Sequence, residues 1–425
     1  KLNPDRAEEA MQRGVTALHL AALYRESDEA AKRFEERFSK STLLPAVLFR
    51  TAENAFLAAT AATAEPNRAS REDLTRLFTE AIKRYERLLK QFPEFPPANL
   101  ARHGMGASLY RLGKFQEAID VLTTIPEMER TGDLATVSYL LADCLIRTLP
   151  PEADDALQAA RQMEQAERAA KLLEGFAAAQ PKAPQAPDAM LKLGYCQQRI
   201  GAALAAPAER QKALTQARTV YEAFMQQFPQ DPALPSVVFE RAKCLALLGD
   251  PGNATNELGR FRTDPFRNSP VAPLALVRLS ALLRAQGRAA DAVAAMAECR
   301  TQHEGRLQQD PVRSDWVPLV QYELALATKE SGKLPEARAL FEQIAKQFGG
   351  RPEATNSQWR AAQCRREELV AALTAARANV AKPGAKPEEI TAARAAIAES
   401  LKGVGAAVDF LKAQVAELAK NAAGT

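Results

Sequence analysis

Apolar residues return along this chain every three or four positions, with charged and polar residues between them. That spacing lays them on one stripe of an α-helix, whereas a half-buried strand alternates at every second residue. In AIKRYERLLKQFP the stripe is Ala81, Tyr85 and Leu88, and Pro93 stops it. In ALTQARTVYEAFMQQFP it is Ala217, Tyr221 and Phe224, stopped by Pro229, and AERAAKLLEGFAAAQP repeats the order with Ala169, Leu173, Phe176 and Pro181. Proline ends each stripe because it lacks an N–H and its ring clashes with the preceding turn. Short alternating β-branched runs bounded by turn residues do not recur, so the pattern predicts helices and no sheet.

The helices come in pairs. LGKFQEAIDVL places Gly113 before Ala118 and Leu122, with Gly106 upstream and Ile125 downstream. RAKCLALLGDPGNATNELGRF gives Ala242, Gly249, Ala254, Leu258 and Phe261 in the same order. LSALLRAQGRAADAVAAMAEC gives Ser280, Gly287, Ala292, Met296 and Cys299, and LALATKESGKLPEARALFEQIAKQF gives Ala325, Gly332, Ala337, Phe341 and Ile344. KLGYCQQRIG supplies Gly194 ahead of Ala217. A small residue on the first helix lets the second helix cross closely. Glycine ends the first helix because it takes the left-handed cap without steric cost. The second alanine is the other half of the crossing, and the larger residues after it form the stripe that faces the next pair.

This grammar resembles the tetratricopeptide repeat, a helix pair of about 34 residues that stacks into a solenoid. The small anchors fall at Ala52, Gly106, Ala142, Gly194, Ala242, Ser280, Ala325 and Ala362, mostly farther apart than the family repeat, so lengthened helices or loops are expected. The expected fold is all-α, a tetratricopeptide-like α-solenoid of about eight or nine helix pairs over 1–355 followed by a long helical hairpin over 356–425. In that family the first helix of each pair lines a concave groove. Partner-binding residues lie four or five after the anchor, which the resemblance carries to Tyr110, Arg111, Arg147, Gln198, Arg199, Arg284 and Lys329. It implies a non-catalytic protein–protein interaction scaffold whose basic groove favours an acidic or carboxylate-terminated segment.

The junctions FSKSTLLPAVLF, QFPEFPPANLA, QFPQDPALPSVVF, FRNSPVAPLAL and QFGGRPEATNSQW share an aromatic helix end, a proline or small polar linker, and an alanine-rich start. They look like the linkers of bacterial envelope repeat proteins of the outer-membrane assembly lipoprotein and Tol–Pal coordinator type. That likeness implies the periplasm or cell envelope, with the cytoplasm as the alternative compartment. The alternative function is a repeat-containing subunit or fragment of a larger envelope enzyme or assembly complex, with the C-terminal helices as its main interface.

Near the C-terminus the grammar changes. One long helix runs through LVAALTAARANV, AKPGAKPEE turns, and a second follows in which Ile397, Leu401, Val404, Val408, Leu411, Val415 and Leu418 alternate four and three apart. That is a coiled-coil seam of about three heptads. It predicts either an antiparallel hairpin capping the array or a helix for oligomerisation, and Gly403 and Gly405 weaken a long rigid coil.

Composition narrows the chemistry. The 425 residues are 47% hydrophobic but only 6% aromatic, so alanine carries much of the helix packing. With 56 basic and 52 acidic residues interspersed, the chain lacks the positive field of a nucleic-acid reader. No apolar run approaches the roughly 20 residues of a membrane span. The chain opens on Lys1, so a processed or trimmed chain is expected, any secretion signal having been removed. His19, His103 and His303 stand apart without metal spacing, and LGDPGNAT lacks the lysine of a phosphate loop. No cofactor and no catalytic constellation is expected. Of the five cysteines, Cys144, Cys196, Cys244 and Cys364 each lie two residues after an anchor, and Cys299 occupies the slot of Ile125 and Phe261. They are expected to pack as small hydrophobes with reduced, unreactive thiols.

Overall fold

In the computed structural model, residues 6–64, 70–150, 156–384 and 386–423 are described, and they contain eighteen α-helices and no strand. The chain divides into two compact units, 1–233 and 234–425. The first holds α1 (Ala7–Leu20), α2 (Tyr24–Arg37), α3 (Leu44–Ala64), α4 (Arg71–Gln91), α5 (Ala98–Arg111), α6 (Phe115–Thr123), α7 (Thr136–Arg147), α8 (Ala156–Ala179), α9 (Ala186–Ala203) and α10 (Pro207–Gln227). The second holds α11 (Leu234–Leu247), α12 (Pro251–Gly259), α13 (Ala272–Ala285), α14 (Ala289–Gln309), α15 (Trp316–Glu330), α16 (Leu334–Gln347), α17 (Pro352–Val380) and α18 (Pro387–Ala423). Odd-numbered helices are the first of each pair and even-numbered helices the second.

The turn inside a pair has one recurring geometry. Gly113, Gly249, Gly287 and Gly332 have φ of +74°, +82°, +74° and +84°. At the first of these, the Lys114 N–H reaches back to the Leu109 carbonyl at 3.0 Å and the Gly113 N–H to Tyr110 at 3.0 Å. Together these bonds satisfy the last carbonyls of the first helix. The same two bonds close the α1–α2 turn, from Leu23 to Leu18 at 3.0 Å and from Ala22 to His19 at 2.9 Å, but there Ala22 occupies the left-handed position at φ +58°. Between pairs, proline enters the first turn of α9, α13 and α17, where a missing N–H costs no hydrogen bond.

Small anchors and large stripe residues fill one another. A Cβ on Gly106 would lie 2.4 Å from Leu122, and one on Gly194 would lie 2.2 Å from the Tyr221 ring. Ala118, Ala217, Ala242, Ala292 and Ala337 are fully buried, as are Tyr221, Phe224, Phe261, Phe341 and Ile125. All five cysteines are buried, and none of them forms a disulfide. Burial pushes the thiols of Cys144, Cys196 and Cys299 up to about 12, and raises that of Cys364.

The C-terminal hairpin differs in two respects from the sequence reading. The boundary at residue 356 falls inside α17, whose Ala354, Ser357, Ala361 and Cys364 are buried in the repeat-like part while its far end packs on α18. The hairpin interface is made by small residues, Ala376 on α17 and Ala393, Ser400 and Ala407 on α18, with Gly403 so close that a Cβ would lie 2.8 Å from Leu369. The larger heptad residues sit beside that contact. Ile397, Val404, Val408 and Leu411 are half-buried, Leu401 and Val415 are exposed, and the side chain of Leu418 lies outside the described residues. Helices this close admit only small side chains between their backbones, which moves the buried seam one face round from the bulky one.

Candidate functional site

Within each unit successive first helices pack on one another, α1 on α3, α3 on α5, α5 on α7 and α7 on α9 in the first unit, and α13 on α15 and α15 on α17 in the second. The sequence-predicted binding residues lie on these first helices, and their surroundings divide them sharply.

In the first unit Tyr110, Arg147 and their neighbours surround a buried acid. Asp143, 1% exposed, accepts from the Tyr110 hydroxyl, from Arg147 Nε at 2.9 Å and from Lys192 Nζ at 2.8 Å. Burial alone would raise its pKa, but the hydrogen bonds from Lys192, Tyr110 and Arg147 outweigh that and hold it below the usual carboxylate value. Lys192 also meets Asp188 at 2.5 Å, and Asp188 accepts from the Tyr139 hydroxyl at 2.6 Å. Burial beside Asp143 pushes the Tyr110 phenol up to about 12. Arg147 lies 5.6 Å from the Tyr110 ring centre and 5.3 Å from that of Phe115. Its side chain is 46% exposed, and only Nε is used by the acid, so the outer edge of its guanidinium faces solvent. Arg111, one residue past Tyr110, is exposed and forms no ion pair with a described residue.

The remaining predicted residues are engaged inside the fold. Gln198 is buried and donates to the Tyr221 hydroxyl at 3.1 Å, because the glycine anchor ahead of it brings α10 over this turn of α9. Arg199 Nη2 donates to the Pro150 carbonyl at 2.9 Å. Arg284 grips the buried Glu323 with one edge of its guanidinium, Nε at 2.8 Å and Nη2 at 3.2 Å, and its Nη1 also pairs with Glu330. Lys329 pairs with Glu367 at 3.0 Å. The contacts of Arg284 and Lys329 run from one first helix to the next and stitch α13 to α15 and α15 to α17.

Sequence reasoning missed Asp143, Lys192, Glu323 and Glu367, the counterions that decide which cations are open. A register signal existed for three of them, since Asp143 follows an anchor by one residue and Lys192 and Glu323 precede one by two. His19 bonds Asn54 at 2.7 Å and His103 meets Thr136 at 3.1 Å, while burial lowers the pKa of His103 and His303. Among the described residues no group of metal-ligating side chains gathers, and no helix is long and apolar enough to cross a membrane.

Against known families, residues 188–231 match the tetratricopeptide repeat. This stretch covers most of α9 and α10 with the Gly194–Tyr221 contact, and it supports a tetratricopeptide-repeat protein, a class whose members act as protein-interaction scaffolds and are generally not catalytic. No curated protein matches the chain. Among solved structures it is similar to a thermophilic tetratricopeptide protein of Thermus thermophilus, with 16% identity over 54% of this chain and 98% of that one and a TM-score of 0.35. A tetratricopeptide repeat protein from Parabacteroides merdae matches with 11% identity over 74% and 99% and a TM-score of 0.39. The apo form of RapI matches with 12% identity over 85% and 98% and a TM-score of 0.42.

Proposed function

We propose that this chain is a non-catalytic scaffold of a bacterial cell-envelope complex, and that it holds an acidic segment of a partner protein on the first helices of its first unit. The observation that carries the reading is the pair of open cations, Arg111 and the outer edge of Arg147, beside the half-buried Tyr110. Asp143 fixes Tyr110 and Arg147 in place, so a partner carboxylate meets groups already oriented and little side-chain entropy is lost on binding. Arginine suits this role because its planar fork can give one edge to Asp143 and another to a ligand. In the second unit the equivalent cations are neutralised by Glu323, Glu330 and Glu367, which concentrates the anion-favouring surface on α5 and α7. The junction grammar of the sequence supports the envelope setting.

The test uses a fluorescein-labelled extended peptide rich in Asp and Glu, titrated into the full chain at low and moderate salt. Binding should weaken as salt screens it, and Arg111→Gln with Arg147→Gln should weaken it by about 0.4–2 kcal/mol, two exposed contacts together. Arg284→Gln with Lys329→Gln should leave it unchanged. Equal effects of the two double variants, or no salt dependence, would remove the first-unit assignment. Fractionation of the native host addresses the compartment, and recovery from the cytosol alone would discard the envelope setting.

A further inference from the structure

A second surface stands out where α16, α17 and α18 meet. In two of the regular pairs, the small anchor of the first helix is covered by a large residue of the second, Leu122 over Gly106 and Tyr221 over Gly194. In the last pair the anchor is Ala362, and α18 brings Ala406 and Ala407 to it instead. With Ala345 of α16 on the other wall, the short side chains leave a groove of about 580 Å³ open to solvent. Phe410 forms one end and is 43% exposed. Two cations stand at the rim, Lys346 and Arg365, both exposed and without an ion pair to a described residue. The rim acid Glu342 is held by Arg338 at 3.2 Å.

We infer that this groove receives an amphipathic helix of a partner protein, which sets a leucine or aromatic side chain over Ala362 and acidic residues against Lys346 and Arg365. The lining is that of a hole awaiting a knob, alanines from three helices beside an exposed aromatic ring. The charge is complementary to an acid-flanked helix because the groove's only acid among its lining residues is already paired while both its cations are not. The inference rests on the scaffold reading in general but uses none of the first-unit residues.

The probe is a labelled helical peptide of about five turns with leucines three and four apart and glutamates between them, compared with a peptide carrying lysine in place of every glutamate. Fluorescence anisotropy with the full chain should show saturable binding of the acidic peptide, at least about tenfold tighter than of the basic one. A362L fills the groove and should weaken that binding at least tenfold. K346E/R365E alters only exposed side chains and should reverse the preference, which keeps the test valid if A362L folds poorly by circular dichroism. The R111Q/R147Q variant should bind this probe normally, so the first-unit reading and this one can fail separately. The inference is overturned by absence of saturable binding, by equal binding of both peptides, or by indifference to K346E/R365E. It is also overturned if sedimentation shows a dimer that A362L dissolves, since a second copy would then be the occupant.

Discussion

The pair α15–α16 and the hairpin α17–α18 are neighbours built from equally helical sequence, yet they are held together differently. Between α15 and α16 a glycine turn at Gly332 sets a close crossing of Ala325 and Ala337, and the fully buried Phe341, with Ile344 1% exposed, fills the space behind it. Between α17 and α18 the contact is a line of Ala376, Ala393, Ser400 and Ala407, and the large residues Leu401, Phe410 and Val415 remain exposed. Helix propensity alone does not stabilise a packed pair. The area each residue buries does, and alanine buries little. The first arrangement is a core, while the second is a close backbone contact with unfilled room beside it.

The largest expected effect is at Phe341. Phe341→Ala should cost about 3–5 kcal/mol, the usual loss for a buried phenylalanine, whereas Phe410→Ala should change stability by less than about 0.5 kcal/mol. Urea titration of the two variants checks this, and equal losses would mean that the hairpin has a core of its own.

In the polar layer the same contrast sharpens. Lys192→Met removes one of three donors from the buried Asp143 and should cost roughly 3–5 kcal/mol. Among described buried residues α18 has only the hydroxyl of Ser400 to lose. Because the folded Asp143 pKa is depressed, its contribution is fully present above its unfolded value of about 4 and is lost as pH falls through the folded one. Hydrogen exchange near pH 3 should therefore loosen α7 and α9 in the wild type relative to pH 7, and Asp143→Asn should flatten that acid limb.

Smaller effects of opposite sign are expected from glycine. Gly332→Ala forces an alanine into the left-handed region and should destabilise by about 1–2 kcal/mol. Gly405→Ala, at a helical site with nothing within 4 Å of the added Cβ, should stabilise by up to about 1 kcal/mol. Ala22→Gly should also stabilise, by about 1 kcal/mol, since it relieves an alanine held at φ +58°. Thermal melts read all three, and a destabilised Gly405→Ala would show that a neighbouring side chain crowds this turn of α18.

The cysteines give the finest probe. Cys364 is fully buried on the repeat-like part of α17 with its thiol pKa raised, so it should label as slowly as Cys144 and Cys196 until denaturant is added. Fast labelling of Cys364 alone would place the onset of the loose packing earlier in α17.

By itself the sequence determined the helices and their pairing. Periodicity, proline stops and glycine caps are local, and each is written within a few residues of the feature it produces, as at Gly113, Gly249, Gly287 and Gly332. The slots of the cysteines were legible for the same reason, because they sit at fixed distances from the anchors. Which cations face solvent was not legible. Arg147 and Arg284 occupy similar places after their anchors, but one leaves an edge open and the other is gripped by Glu323 and Glu330 from the next first helix. That outcome depends on residues some forty positions away brought alongside by stacking. The hairpin seam was misplaced for a related reason. A heptad of large residues marks an amphipathic helix, but how closely the partner helix approaches decides which face is buried. Here Gly403 and the alanines of α17 and α18 admit the closer contact, and only the tertiary structure could select it.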